Sequence, residues 1–241
     1  MHSQPEQLKP RQAEITTLLR GEAESLQGWL HHGHAGRWGR ELAVILVGSG
    51  CYGAAMGWWR SPEQALFVAA KFPLIILLTT LGNALLNAML APLLGLNLTL
   101  RQTLRAVLMS FTISSAIMGA FSPLIAFLVW NAPAMVANNI SGTTYNFISL
   151  AHVIVIALAG ITGNVRLFQL LSRLAGSRAI AQRVLFAWLA GNLFFGSQLT
   201  WILRPFIGSP TLPVEFFRAS ALHGNFFEAV LHSLQQIFHS H

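Results

Sequence analysis

The side chains that could carry chemistry in the apolar part of this chain are few and uncharged. Five are polar enough to line a path or hold a ligand, namely Asn83, Asn87, His152, Asn192 and Gln198. Asn83 and Asn87 are four residues apart, so they share one face of a helix. Two interpretations stay open, a narrow polar path lined by these residues or hydrogen bonds between packed helices, and the mild character of the groups favours the second.

Acidic residues are absent from most of the chain. All eight acids are glutamates, and none lies between Gln64 and Val214. Driven cation transporters and most enzymes need a carboxylate at the site of action, so this gap argues against both classes. His152 has no second intramembrane histidine for a bis-histidine haem and no acid to pair with. We therefore expect no catalytic residue and no cofactor, with single-ligand pigment binding at His152 as the one cofactor alternative left open.

Metal-binding patterns are also weak. Cys51 is the only cysteine, which excludes an intrachain disulfide and a cysteine-based zinc site. His31, His32 and His34 are spaced closely enough to ligate a metal ion, but no Cys, Asp or second cluster accompanies them. We expect this segment to be a solvated hinge and the protein to hold no native metal.

Composition indicates that these residues belong to a membrane protein. The 241 residues are 54% hydrophobic and 10% charged, with a mean hydropathy of +0.55, whereas soluble domains carry about 25% charged residues. A bilayer core of about 30 Å requires roughly 20 apolar residues per helix. Five stretches meet this requirement: 42–59, 72–94, 104–130, 147–171 and 184–203. The predicted fold is all-α, a membrane-embedded bundle of about five transmembrane helices with interfacial amphipathic helices.

Capping residues and prolines predict how the helices begin and bend. Ser61 is a predicted N-cap of a short helix over residues 62–71, which Pro73 should halt before the second span. Thr99 begins a capping box at the third span. Pro123 predicts a kink or a break within that span.

The distribution of basic residues predicts the orientation. Most Lys and Arg residues fall on segments that share a side with the N-terminus, which places that side in the cytoplasm. The predicted organisation is a polar cytoplasmic segment over residues 1–40, a transmembrane domain over 41–204, and a non-cytoplasmic segment over 205–241. The basic charge is explained by this orientation and by contact with anionic lipid, so we expect no nucleic-acid partner. The expected location is a bacterial inner (plasma) membrane.

Both tails carry surfaces suited to an interface. Arg204 and Pro205 form a predicted structural corner, from which a proline- and glycine-rich strap runs over residues 204–215. Apolar residues then recur at helical spacing and predict an amphipathic helix that lies on the membrane or on a partner: Phe227, Val230, Leu231, Leu234, Ile237 and Phe238. A weaker apolar stripe within residues 1–34 predicts a solvated helix with the same choice of surfaces.

Small residues recur every four positions in three of the spans. Such stripes let two helix backbones approach closely and indicate helix packing. The predicted packing residues are Ser49, Gly53, Gly57, Ser115, Gly119, Ala187 and Gly191.

The order of these features, together with three local runs, resembles one known family. The first run is Pro-Glu-Gln-Ala-Leu over residues 62–66 through Lys-Phe-Pro-Leu-Ile over residues 71–75, and the second is Leu-Thr-Leu-Arg-Gln-Thr-Leu over residues 98–104. The third is the closing segment over residues 196–210, with Phe-Phe-Arg at 216–218 and Asn-Phe-Phe at 225–227. They resemble bacterial members of the Yip family, relatives of the Ypt/Rab-interacting proteins, over roughly residues 41–230. The resemblance implies a five-span fold and a non-enzymatic adaptor, with no catalytic residue to carry over.

The leading hypothesis is thus a non-enzymatic integral membrane scaffold or accessory subunit that organises a larger complex. Its expected partners are the lipid bilayer and either other membrane subunits or further copies of this chain. The alternative is a channel or carrier for a small neutral or anionic solute, which would use the Asn, His and Gln side chains as its lining. The two differ in geometry: a channel requires the polar side chains to line one water-filled cavity, whereas a scaffold allows them to be paired and dry.

Overall fold

The structure is a computed structural model and describes residues 35–135, 142–209 and 212–239. The predictions for residues 1–34, including the three clustered histidines and the N-terminal apolar stripe, lie outside the described residues.

Six helices make up the regular structure of the described residues. They are α1 (Ala35–Trp58), α2 (Pro62–Leu93), α3 (Leu100–Trp130), α4 (Gly142–Ala175), α5 (Arg178–Leu203) and α6 (Phe226–His239). The first five are each long and apolar enough to cross a membrane, whereas α6 has only 14 residues. The predicted all-α bundle of five spans is confirmed, and the protein is a multi-pass membrane protein.

The second span differs from its prediction. A separate helix over residues 62–71, halted by Pro73, was expected, but α2 runs without interruption from Pro62 to Leu93. Pro73 lacks the N–H that would bond the Ala69 carbonyl four residues earlier. That carbonyl faces Gly50 of α1, where an added Cβ would lie 3.3 Å from it. Packing of α1 against this turn therefore keeps the helix continuous, as neighbouring helices do for prolines within membranes.

Pro123 is also accommodated without a break, because α3 extends from Leu100 to Trp130. The carbonyl that loses its helical donor is that of Gly119, four residues before the proline. The Ser122 hydroxyl donates to this carbonyl at 2.7 Å. A neighbouring side chain thus replaces the missing backbone bond.

The predicted capping residues hold the helix ends. Ser61 accepts from the Gln64 backbone at the start of α2, and Thr99 and Gln102 form the capping box of α3. Gly176, at a φ of +59°, makes the tight turn between α4 and α5. These ends set the lengths of the helices that position the polar residues.

The helices pack so that α1 lies between α2 and α3, α3 also contacts α4, and α5 contacts both α2 and α4. Two apolar clusters fill the interior. One has residues of α2, α3, α4 and α5 and lies where α2 ends and α5 begins. It includes Leu170 and Trp188. The other joins α1, α2, α3 and α4 near the opposite end, and it includes Tyr52 and Ile125. We call this opposite end the strap end, because the described strap residues, 204–209 and 212–215, contact the start of α2 there.

Candidate functional site

The predicted polar residues of α2 and α5 form one hydrogen-bonded cluster. The Asn83 side-chain amide donates to Asn192 Oδ1 at 2.6 Å. The Asn87 amide donates to both the backbone carbonyl and Oδ1 of Asn83. Asn83 and Asn87 are fully buried, and Gly191 leaves the space that the Asn83 side chain fills. The arrangement joins two helices through neutral amides in a protein interior.

His152 lies elsewhere, between α4 and α1. The Tyr52 hydroxyl is 3.0 Å from His152 Nδ1, and the two rings meet edge to face with centroids 5.6 Å apart. Both side chains are buried. Tyr52, which the sequence did not mark as a partner, is the hydrogen-bond partner of Nδ1, whereas Nε2 is buried without a hydrogen-bond partner among the described residues.

Gln198 belongs to neither group. Its Oε1 accepts from the Phe226 backbone N–H at 3.5 Å, at the start of α6. The five polar residues are therefore divided among three places in the bundle and do not share one face. The structure brings together only Asn83, Asn87 and Asn192.

The predicted packing residues of α1 contact another helix of the same molecule. A Cβ on Gly53 would lie 2.5 Å from the Val68 carbonyl of α2, and one on Gly57 would lie 2.6 Å from the Gln64 carbonyl. Their neighbour Ser49 is fully buried and donates to the Ile45 carbonyl. These residues bring α1 against α2.

The same pattern holds at the other helix pairs. A Cβ on Gly119 would lie 2.8 Å from the Gly48 Cα, and one on Gly48 would overlap the Ser115 carbonyl. Ala187 is partly buried against the cluster that joins α4 and α5. The predicted packing stripes thus lie between helices of one molecule.

A cavity of about 540 Å³ lies at the strap end. Met56 of α1, Phe72 of α2, Tyr145 of α4 and Thr200 of α5 contribute to its wall, and Phe206 of the strap closes one side. Among the described residues of the wall, the polar side chains are those of Tyr145 and Thr200. The space exists because α4 and α5 share an apolar cluster only at the other end of the bundle.

The strap is fixed to the start of α2. The Gln64 side-chain amide donates to the Pro205 and Phe206 carbonyls at 2.9 and 3.1 Å. Arg204 donates to the Trp201 carbonyl at the end of α5, and its guanidinium lies 3.5 Å from the centre of the Trp201 ring. Arg204 and Pro205 thus turn the chain at the end of the last span.

Four basic residues lie along this strap, and one of them, Arg60, donates to the Leu212 carbonyl at 3.5 Å. Lys71 is fully buried, donates to the Glu215 carbonyl at 3.3 Å and lies 5.3 Å from the centre of the Phe216 ring. Arg218 acts electrostatically on both Lys71 and Arg204. Burial lowers the pKa of Arg204 from its ordinary value, and the charge of Arg218 lowers it further. Sequence reasoning did not single out Lys71, because its burial involves contacts with strap residues about 144 positions later in the chain.

The C-terminal helix follows its predicted pattern in the part that is described. Asn225 accepts from the Glu228 backbone N–H at 2.9 Å and caps α6. Phe227 stacks on Phe194 of α5 with ring centroids 6.1 Å apart. Val230 and Leu231 are exposed, and the side chains of the remaining predicted interface residues lie outside the described ones: Leu234, Ile237 and Phe238.

Within the described ranges, no group of three or more His, Cys, Asp or Glu side chains could hold a metal ion. No protein-family model, curated protein or solved structure matches the chain. The resemblance to the Yip family stays a prediction from the quoted runs.

Proposed function

We propose that this protein is a non-enzymatic scaffold or accessory subunit that organises a larger complex in a bacterial inner membrane. The observation that carries the proposal is the pairing of the intramembrane polar groups. Asn83 bonds Asn192, and His152 meets Tyr52 in a different helix pair. A solute path requires polar groups that face an opening, whereas these groups hold the bundle together.

The proposed orientation has the N-terminus in the cytoplasm and the C-terminus outside. The bias of Lys and Arg toward the N-terminal side supports it. The small-residue stripes are occupied within the molecule, which leaves α6 as the main described surface for a partner. Val230 and Leu231 there are 41% and 57% exposed. The partner is a membrane subunit or a second copy of the chain, in keeping with the adaptor role that the Yip resemblance implies.

The test is native purification of the full chain at its natural expression level, followed by native gel electrophoresis and quantitative mass spectrometry. We expect a complex with fixed stoichiometry. Leu231→Glu should lower the amount of complex recovered at least ten-fold. Leu222→Glu is the matched control, because Leu222 is 79% exposed but precedes α6. A strictly monomeric protein without partners would contradict the proposal.

A second measurement addresses the channel alternative. The purified chain is reconstituted in liposomes, and uptake of small neutral and anionic solutes is compared with that of empty liposomes. We expect no difference. Selective uptake that Asn192→Ala abolishes would replace the scaffold with a channel or carrier.

A further inference from the structure

The cavity at the strap end has the size and wall of a ligand site. Its volume of about 540 Å³ falls within the range of roughly 300–1,000 Å³ that is typical of small-molecule pockets.

Three residues of the cavity wall, on α4 and α5, are exposed at the surface of the bundle. Tyr145 and Ile156 of α4 are each 39% exposed, and Thr200 of α5 is exposed as well. Because α4 and α5 are both long and apolar enough to cross a membrane, we infer that an apolar chain reaches the cavity from the bilayer past these exposed wall residues.

Positive charge lies beside the cavity. Arg204 directly precedes Pro205, and Lys71 directly precedes Phe72; both of these neighbours line the cavity wall. Arg218 is close enough to act on both basic side chains. Arg204 and Arg218 are each only partly buried, so both residues reach the surface of the bundle.

The acids near this surface do not offset the charge of Lys71. Glu215 meets Lys71 through its backbone carbonyl, while its side chain is exposed, as are those of Glu63 and Glu228. A buried cation without a carboxylate partner is costly. An anionic group from a ligand would supply the missing charge, and arginine pairs well with phosphate through two parallel hydrogen bonds.

We propose that the strap cavity binds one acyl chain of an anionic phospholipid and that Arg204 and Arg218 hold its phosphate. Lys71 lies behind them and adds to the positive field. The apolar wall accounts for the tail, the exposed wall residues account for its entry from the bilayer, and the basic residues account for the headgroup. This binding site is independent of the scaffold role and goes beyond it.

The headgroup is tested by native mass spectrometry of the full chain in detergent, titrated with phosphatidylglycerol or with phosphatidylcholine of the same acyl composition. We expect one phosphatidylglycerol to be retained with at least ten-fold preference. Arg204→Gln combined with Arg218→Gln should remove the preference. Arg101→Gln combined with Arg178→Gln, two exposed arginines at the opposite end of the bundle, should preserve it.

The acyl chain is tested by filling the cavity. Ile156→Trp places a large side chain in the cavity wall. Ile154→Trp is the control, because Ile154 lies on the same helix, is 59% exposed and does not line the cavity. We expect Ile156→Trp to lose both lipids and Ile154→Trp to retain them, with unchanged unfolding of each variant. This pair tests the proposal even if the double arginine variant does not fold.

Three results with the two lipids would overturn the proposal. Equal retention of both lipids by the unaltered chain, or retained lipid in Ile156→Trp, would indicate lipid that surrounds the bundle non-specifically. A preference that survives in the double arginine variant would show that other residues select the headgroup. Binding of detergent alone, displaced by neither lipid, would also refute it.

Discussion

Gly191 offers the sharpest test of the polar cluster between α2 and α5. A Cβ at this position would overlap Asn83 Oδ1, so Gly191→Ala must displace the side chain that bonds both Asn87 and Asn192. Gly160 is a matched control on α4, because nothing lies within 4 Å of a Cβ added there. The two substitutions are chemically identical and differ only in what the new methyl group meets.

The expected effects can be worked out from these contacts. Alanine is better than glycine within a helix by about 0.5–1 kcal/mol, so Gly160→Ala should raise the free energy of unfolding by that amount. At Gly191 the same gain is opposed by two hydrogen bonds of Asn83, worth about 0.6 kcal/mol each in a membrane protein. Overpacking adds a cost of about 1–3 kcal/mol. The net result is a destabilisation of about 1–4 kcal/mol, or about 2–4 kcal/mol relative to Gly160→Ala.

The assay is reversible unfolding in mixed micelles, with the free energy of unfolding measured as the fraction of denaturing detergent increases. A double-mutant cycle identifies the cause. In an Asn83→Ala background the side-chain oxygen Oδ1 is absent, so Gly191→Ala should lower the free energy of unfolding much less than in the unaltered chain. The reasoning is refuted if Gly191→Ala is as stable as Gly160→Ala, or if its cost is unchanged without the Asn83 side chain.

Three further predictions concern the other elements. Tyr52→Phe leaves His152 Nδ1 without its partner and should destabilise the chain by about 1–3 kcal/mol, whereas the double variant that also replaces His152 with Phe should recover part of this loss in the same unfolding assay. Phe227→Ala removes the stacking of α6 on the end of α5, worth about 0.5–1.5 kcal/mol beyond area burial, so amide hydrogen exchange should accelerate in α6 and stay unchanged in α3. In a chain without its native cysteine, a membrane-impermeant thiol reagent should label Ser220→Cys from outside intact cells and Asn97→Cys only after lysis, and the reverse pattern would contradict the proposed orientation.

The spans could be predicted from the sequence because hydropathy and helix length are local properties. The partners of the polar residues could not, because they depend on how each helix is rotated within the bundle. Asn83 meets Asn192, which is 109 residues later, and His152 meets Tyr52 at a separation of 100 residues. Each of these contacts joins two helices whose relative rotation no local pattern specifies.

The prolines illustrate a different limit. Pro73 and Pro123 have the same local effect, the loss of one N–H donor, and both predicted an interruption. Ser122 compensates for the second within its own turn, which could have been recognised from the sequence. The first depends on Gly50 of α1, a tertiary contact that is visible only once the helices are assembled.

The charge pattern explains why the two ends of the bundle differ in what they can bind. Because no acid lies between residues 64 and 214, the interior can be neutral only if its polar groups are uncharged, as the asparagine cluster and the pair of His152 with Tyr52 are. Glu41 and Arg105 are charged side chains buried elsewhere in the bundle. Lys71 is buried beneath the strap, which offers it a carbonyl oxygen and an aromatic ring. A bundle that needed only stability would gain from a neutral residue there, because a buried ion is costly to desolvate. A lysine at this position is useful when an anion from outside the chain approaches the strap, and the anion that is always present at a membrane surface is the phosphate of a lipid.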